Sequence, residues 1–334
     1  IPAECLSGHS RMERGKTSKI LGRPEMKKCR LQVAFCLILL VESLFVLTGC
    51  GGDGDSVTAP PVNDGGGNST INGAVVKGPV NGGMVTAYAV NNGTRGAQLG
   101  IASTNAQGNF SMVIGDYSGP VMLSMNGGTY TDEATGAMMT MAGNDVMTAV
   151  IPSISSGAAV TGIQMTPLTA MAQTMAGNMS GGMTTTNISA ANTSLGHYFM
   201  VNDILYTTPM NTNIPGSGAG ATQDMRNYGM AIAAMSEYAK TLGMTSSSGM
   251  VTAMMSDASD GVMNGMMGGS RPITMGGGTN MMGGGTMMQS NTGASGLTGA
   301  MTSFMNSAMN KSGLTTADMQ TLMNQLSSSS GTIK

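Results

Sequence analysis

The sequence predicts an α+β fold in which an N-terminal antiparallel β-sandwich is followed by a small helical domain. Between residues 70 and 164, short apolar runs alternate with Gly, Asn and Pro turns at the spacing of a β-sandwich. From residue 165 to residue 330 the apolar period lengthens to that of helices. Within this second part, residues 261–289 consist largely of Gly and Met, which predicts a disordered low-complexity insert.

The composition excludes several classes of protein. Charged residues form 10% of the 334-residue chain, and the net charge is −2. After residue 50 the basic side chains are scattered singly, so we expect no nucleic-acid partner. Four cysteines are too few for a disulfide-dense scaffold. The sequence contains no Gly-x-Ser-x-Gly, phosphate-loop, Cys-x-x-Cys or His-Glu-x-x-His motif, so we expect a protein that is not an enzyme and binds no cofactor.

The N-terminal segment has the layout of a bacterial secretory signal. Met26 begins a basic stretch, and residues 31–47 are almost wholly apolar. The run ends in Leu47-Thr48-Gly49-Cys50, which resembles the lipobox of bacterial lipoproteins. The resemblance implies cleavage before Cys50 and lipidation of its sulfur, which would anchor the protein to a membrane. A transmembrane helix is the alternative, but about 17 residues lie near the lower limit for spanning, and Glu42 interrupts the run.

These features divide the chain ahead of the predicted sandwich. We interpret residues 1–25 as sequence upstream of the true start and residues 26–50 as the signal peptide. Residues 51–69, rich in Gly, Asp and Pro, are interpreted as a flexible tether. Gly51 after the lipidated cysteine resembles the outer-membrane sorting pattern of diderm bacteria. We therefore expect a lipid-anchored protein of the cell envelope, in the outer membrane, with an envelope protein or a polysaccharide as partner.

Part of the predicted sandwich resembles a known family. Residues 73–80 (GAVVKGPV) and 85–88 (VTAY) precede a turn whose key positions are held by Thr104, Asn105, Gly108 and Phe110. This turn resembles the T-[DN]-x-x-G-x-[FY] turn of carboxypeptidase-regulatory-like domains, which are transthyretin-like sandwiches of bacterial surface proteins. Glycine allows the turn, and the aromatic residue returns the chain to the core. The resemblance implies a fold but no ligand, and such domains are not peptidases.

Two further sites are functional candidates. Asp132 and Glu133 are adjacent acids in a predicted loop, where a Ca²⁺ site is one interpretation and a solvent-exposed turn is favoured. Any Ser-His-Asp enzyme would have to use His197, which is followed by two aromatic residues. A lone histidine in that setting is more often a packed or surface residue, and we favour that interpretation.

Helix signals are clear in the second part of the chain. Thr166 and Pro167 form a typical helix start. Thr315 and Asp318 resemble a capping box. The spacing of apolar residues predicts helices over 187–201, 223–242, 248–256, 297–309 and 316–326, with the clearest apolar stripe in 223–242.

The 37 methionines are the most unusual feature of the sequence. Met substituting for Leu, Ile or Val as apolar filler is the favoured interpretation, because Met also takes core-facing positions such as Met112, Met225 and Met235. Oxidant scavenging is a further interpretation. The main alternative is binding of a soft ion, Cu(I) or Ag(I), by thioethers of the Gly-rich insert. Its candidate ligands are Met263, Met266, Met267, Met275, Met281, Met282, Met287 and Met288.

Overall fold

A computed structural model describes residues 67–141, 143–275 and 286–334. In these ranges the protein is a mixed α+β fold with several antiparallel pairings and six α-helices, which confirms the predicted class. Cys50, most of the tether, and the part of the low-complexity insert at 276–285 lie outside the described residues.

Nine of the described strands precede the first helix, and they are numbered here in chain order. They are β1 (Ser69–Val75), β2 (Met84–Asn91), β3 (Thr94–Ser103), β4 (Asn109–Gly115), β5 (Gly119–Asn126), β6 (Thr129–Thr131), β7 (Met138–Thr140), β8 (Val146–Ile154) and β9 (Ala159–Met165). Four two-residue strands follow later, namely β10 (Met266–Met267), β11 (Arg271–Pro272), β12 (Thr274–Met275) and β13 (Thr286–Met287).

Two sheets organise the first part of the fold. One has the strand order β3-β2-β5-β8 and is antiparallel throughout. The other has the order β4-β1-β9, in which β1 pairs antiparallel with β4 but parallel with β9. The parallel pair departs from the predicted all-antiparallel arrangement. A parallel pair needs a long connection, and here all the strands from β2 to β8 lie between the two partners.

Both sheets contribute side chains to one apolar cluster. In β4, Phe110, Met112 and Ile114 are buried and alternate with exposed neighbours, as the sequence predicts. Met125 of β5 and Met147 of β8 are fully buried in the same cluster. Methionine therefore acts as an ordinary core side chain at these positions.

The helices form the second part of the fold. They are α1 (Pro167–Asn178), α2 (Thr185–Phe199), α3 (Gln223–Thr241), α4 (Ser248–Asp257), α5 (Leu297–Met305) and α6 (Gln320–Ser329). Thr166 caps α1 in a capping box with Pro167 as the first helical residue, which confirms the predicted start. The capping box of Thr315 and Asp318 is also present, and it opens a short 3₁₀ turn directly before α6.

α3 lies at the centre of a second apolar cluster, in which Tyr228 and Met235 are fully buried. Val90, Met122 and Val150 from the larger sheet belong to the same cluster, so the helices cover one side of that sheet. Within the described ranges, no helix combines the length and the apolar character needed to cross a bilayer.

Candidate functional site

A buried charge cluster lies where the turn after β1 meets α3. Lys77 is fully buried, and its Nζ lies 2.6 Å from Glu133 Oε2 and 3.8 Å from Asp132 Oδ2. The ammonium also donates a hydrogen bond to the hydroxyl of Ser236 on α3, and it lies 5.2 Å from the ring centre of Tyr130. These contacts compensate a charge that burial alone would strongly disfavour.

The expectation of a solvent-exposed turn at Asp132 and Glu133 is wrong. The two residues are only 1% and 4% exposed. No basic residue lies near the two acids in the sequence. The fold instead brings Lys77, which is 56 positions before Glu133, into contact with them. The cationic partner of this acidic pair is therefore an ammonium of the same chain.

The turn that carries Lys77 is held by its glycine. Gly78 has φ +59°, and a Cβ there would lie 2.2 Å from the carbonyl oxygen of Thr131. Only glycine allows the backbone to come this close to Thr131. In this position the Gly78 amide donates a hydrogen bond to Glu133 Oε1 at 2.6 Å. Both oxygens of the Glu133 carboxylate are thus occupied within the protein.

The electrostatics fix the protonation states of the cluster. Burial alone would lower the pKa of Lys77, but the charges of Glu133 and Asp132 outweigh it and raise that pKa above the usual value. Burial would raise the pKa of Asp132, but Lys77 and hydrogen bonds from Ser247 and Thr135 hold it below the usual range. Lys77 therefore remains an ammonium, which is unsuited to removing a proton from the Ser236 hydroxyl.

A cleft of about 190 Å³ opens beside this cluster. Glu133 contributes to its lining, and residues from β1, β9, the loop before α3, and α3 itself form the walls. Its apolar surface comes mainly from Val76, Pro79, Pro209, Met210 and Ile232.

The loop that forms one wall is fixed closely against α3. A Cβ at Gly229 would lie 2.1 Å from the carbonyl oxygen of Met210, so α3 can approach the loop only with glycine at this position. The Met210 amide donates to the Met225 carbonyl at 3.0 Å, and the Lys311 amide donates to the Thr212 carbonyl at 3.0 Å. The wall is thus held by backbone hydrogen bonds at both of these positions.

Two buried polar atoms in the cleft lack a hydrogen-bond partner in the protein. They are Oε1 of Gln164 and Oγ1 of Thr212, in residues that are 4% and 1% exposed. Gln164 Nε2 donates to the Gly162 carbonyl at 3.1 Å, which leaves the amide oxygen as the free group. Leaving such an atom unsatisfied costs about 1–3 kcal/mol, so a hydrogen-bonding group that reached either atom would recover that cost.

A shallower groove continues from the cleft across the outer face of the three-stranded sheet. The groove has a volume of about 370 Å³, and it shares Ala74, Asn109 and Gln164 with the cleft. Asn72, on β1, also lines it, and its buried Oδ1 has no partner. Of the five buried side-chain atoms without a partner in the described chain, three belong to residues that line this one surface.

The structure places the candidate methionine ligands in different environments. Met263 and Met288 are buried in the helical core, at 0% and 5% exposure. Met267 and Met287 are 38% and 45% exposed. The other described candidates lie on two short ladders, where Met266 pairs with Pro272 and Met275 pairs with Thr286. Met281 and Met282 lie outside the described residues, as does the lipidation candidate Cys50.

The remaining candidate, His197, lies at the surface near the C-terminus of the described chain. It lines a cavity of about 140 Å³ with Ser328 and Ser329. The neighbouring Tyr198 hydroxyl donates to the Gly293 carbonyl and is buried, which raises the pKa of Tyr198 to about 12. In the part of the chain that the structure describes, no cluster of three or more His, Cys, Asp or Glu side chains is arranged to hold a metal ion.

Sequence reasoning missed the residues that form the cleft. Gln164 and Thr212 are common polar residues in unremarkable contexts, so nothing local distinguishes them. Lys77 gave a weak signal, because it is a lone lysine between apolar β-prone runs and directly before a Gly-Pro turn. Lysine is usually exposed and is fully buried almost only when it is paired, so this context alone does not identify the site.

Comparison with known proteins adds little to these observations. No protein-family model matches the sequence, and no curated protein matches it. Among solved structures, the chain is similar to a 9R-lipoxygenase from Cyanothece PCC8801, with 8% sequence identity and a TM-score of 0.18. The match covers 62% of this chain and 26% of the lipoxygenase.

Proposed function

We propose that this protein is a lipid-anchored component of the cell envelope, and that its folded part has a non-enzymatic binding role. The lipobox-like Leu47-Thr48-Gly49-Cys50 supports the anchor at Cys50, and Gly51 supports an outer-membrane location. The Gly/Asp/Pro-rich residues 51–69 would hold the folded part away from the membrane surface. The partner class is an envelope polysaccharide or an envelope protein.

The two larger sheets would form a β-sandwich of the carboxypeptidase-regulatory-like type. Their shared apolar cluster supports this arrangement. So does the turn that includes Thr104, Gly108 and Phe110, because Gly108 has φ +79° and Phe110 is buried. Thr104 is also buried, and its hydroxyl donates to the Val80 carbonyl at 2.6 Å.

The observation that carries the binding role is the pair of unpartnered polar atoms in the cleft, on Gln164 and Thr212. The adjacent charges support binding over catalysis. Lys77 and Glu133 compensate each other, and both oxygens of the Glu133 carboxylate already accept hydrogen bonds. The ion pair therefore fixes the turn relative to α3. Neither side chain of the pair is left free to act as a general acid or base.

Two experiments test the proposal. The first is detergent phase partition and mass spectrometry of the full chain and of Cys50→Ser. We expect the native chain to enter the detergent phase with the mass of a protein cleaved before Cys50 and acylated there. The variant should carry no acyl group and should retain residues 26–49, whose apolar run can itself enter the detergent phase. A native chain that carries no acyl group at Cys50 would remove the lipid anchor. The second experiment measures retention of the protein on isolated envelope fractions and analyses the bound material for chemical change.

A second candidate function is soft-metal binding by the Met-rich insert. The exposure of Met267 and Met287, on short ladders of the same segment, favours it. Titration of the full chain with Cu(I) against a competing chelator tests this function. Submicromolar binding that is lost when Met267 and Met287 become Leu would support it. Binding that is unchanged in this variant would remove these two residues as ligands.

A further inference from the structure

We propose that the cleft and the adjoining sheet groove bind an uncharged sugar chain, with one ring in the cleft and the next sugar residue across β1. The proposal rests on the binding role proposed above and adds to it the chemical class of the ligand. Four properties of the surface lead to this class.

The first property is the hydrogen-bonding character of the unpartnered atoms. Oε1 of Gln164 and Oδ1 of Asn72 are amide oxygens and can only accept hydrogen bonds, whereas the Thr212 hydroxyl can donate and accept. A matching ligand must bring several donors spaced along its length. The hydroxyl groups of a sugar chain have this property.

The second property is the charge of the surface. Among the described residues that line the cleft and the groove, Glu133 is the one ionisable group, and its oxygens already accept from Lys77, Ser236 and Gly78. The adjacent Asp132 is held ionised, so the cluster carries about one net negative charge. An anionic ligand would be repelled, and a cationic ligand would find no unpaired carboxylate.

The third property is the apolar part of the cleft lining. Val76, Pro79, Met210 and Ile232 present hydrocarbon surface within the same cleft. A sugar ring has hydroxyl groups at its edge and C–H groups on its faces. It can therefore contact the apolar wall and still donate to Gln164 and Thr212.

The fourth property is size and continuity. The cleft has a volume of about 190 Å³, which is many times the roughly 10–15 Å³ that one water molecule needs, so it has room for a small ring. The groove continues directly from the cleft, since Gln164 lines both. Small residues, Ala74 and Gly162, line the groove and leave room for a second ring over the sheet.

The test is calorimetric titration of the full chain in a polyoxyethylene detergent, which carries no sugar group. The probes are the neutral disaccharides maltose, cellobiose and di-N-acetylchitobiose. Deacetylated chitobiose is the cationic counterpart of di-N-acetylchitobiose. A disaccharide that contains glucuronic acid is the anionic probe. We expect at least one neutral disaccharide to bind with a Kd of about 1 mM or lower, and both charged probes to bind at least about tenfold more weakly.

Two variants locate the binding. Thr212→Val and Gln164→Met remove the free polar atoms with little change in shape, and each should weaken binding at least about tenfold. Asn192→Leu is the matched control, because Asn192 also has a buried unpartnered atom but lies on α2, away from the cleft. It should bind as the native chain does. Melting temperatures equal to or above that of the native chain would show that the cleft variants are folded, because each variant removes an unsatisfied buried atom.

Several results would overturn the proposal. They are no binding of any neutral disaccharide at about 10 mM, binding only of a charged probe, or binding unaffected by Thr212→Val. If sugars fail while the chain is still retained on envelope fractions, the proposed function stands and only the ligand class is wrong.

An isolated envelope polysaccharide distinguishes the sources of the sugar. Binding tighter than that of the best disaccharide assigns an attached glycan. Equal or weaker binding assigns a free sugar.

Discussion

Lys77 and Glu133 form an ion pair inside the protein, with 2.6 Å between Nζ and Oε2, although 56 positions separate them in sequence. The same Oε2 accepts a hydrogen bond from Ser236 of α3 at 2.6 Å, so the pair connects the strand region with the central helix. Because the carboxylate also lines the cleft, the geometry of the cleft depends on this contact.

Lys77→Met should strongly destabilise the fold. It leaves Asp132 and Glu133 buried without their counter-charge, which typically costs about 3–5 kcal/mol. Urea denaturation followed by circular dichroism measures this, since the chain has no Trp for fluorescence. Lys240→Met is the control, because Lys240 pairs with Glu237 at 3.1 Å but its side chain is 44% exposed. The control should change the free energy of unfolding by about 0–1 kcal/mol. Equal effects of the two variants would contradict the buried pair.

Stability should fall as the pH rises from about 4 to about 7, because of Asp257. The side chain of Asp257 is fully buried, and burial raises its pKa from the usual 3.8 to about 7. Hydrogen bonds from the amides of Gly265 and Asn264 lower this pKa, but they do not outweigh the effect of burial. Below pH 4 both folded and unfolded chains hold the proton. Between pH 4 and 7 only the unfolded chain releases it, which lowers the free energy of unfolding by about 2–4 kcal/mol.

Asp257→Asn should remove this slope in unfolding experiments across that pH range. Asp260→Asn, at an exposed position three residues further on, should retain it. A slope that persists in Asp257→Asn would assign the titration to another group. Asp132 affects stability in a different pH range. Its pKa is lowered in the folded protein, so the stability it contributes is lost only as the pH falls below about 4.

Gly229→Ala should displace the loop that forms one wall of the cleft. The new Cβ would meet the Met210 carbonyl oxygen at 2.1 Å, and the backbone on both sides is hydrogen-bonded. Overpacking of this kind costs about 1–3 kcal/mol. Gly299→Ala in α5 is the matched control, because the space around that position is open. It should be neutral or stabilise by up to about 1 kcal/mol. Denaturation curves that shift equally for both variants would contradict the close approach.

Replacing a buried methionine should lower the free energy of unfolding far more than replacing an exposed one. Met263→Ala removes a fully buried side chain of the helical core and should cost about 2–5 kcal/mol. Met267→Ala changes an exposed side chain and should stay within about 0.5 kcal/mol. If both variants melt at the native temperature, Met263 would not act as core filler.

Features that depend on neighbouring residues could be predicted from the sequence. The capping box at Thr166 and the alternation of Phe110, Met112 and Ile114 are local patterns, and both are present. The helix α3 is also present, but residues 227–239 are all buried, so it is enclosed on every face and not along one apolar stripe. The strand β9 was missed, because Gly162 and polar neighbours weaken its pattern and its pairing with β1 is distant in sequence.

The candidate site could not be predicted for the same reason. Asp132 and Glu133 are indistinguishable from a surface turn until Lys77 is brought to them. Gln164 and Thr212 become notable only when the fold buries both in the lining of one cleft and leaves a polar atom of each without a partner. Burial of polar atoms is a property of the tertiary structure, and no short pattern encodes it.

The most direct test of the account is retention of the full chain on isolated envelope polysaccharide and, separately, on isolated envelope protein, with analysis of the bound material afterwards. The account predicts retention on one of them, recovery of that material chemically unchanged, and loss of retention in Thr212→Val but not in Asn192→Leu. Failure to be retained on either fraction, or conversion of the bound material into a new product, would contradict a non-enzymatic binding role.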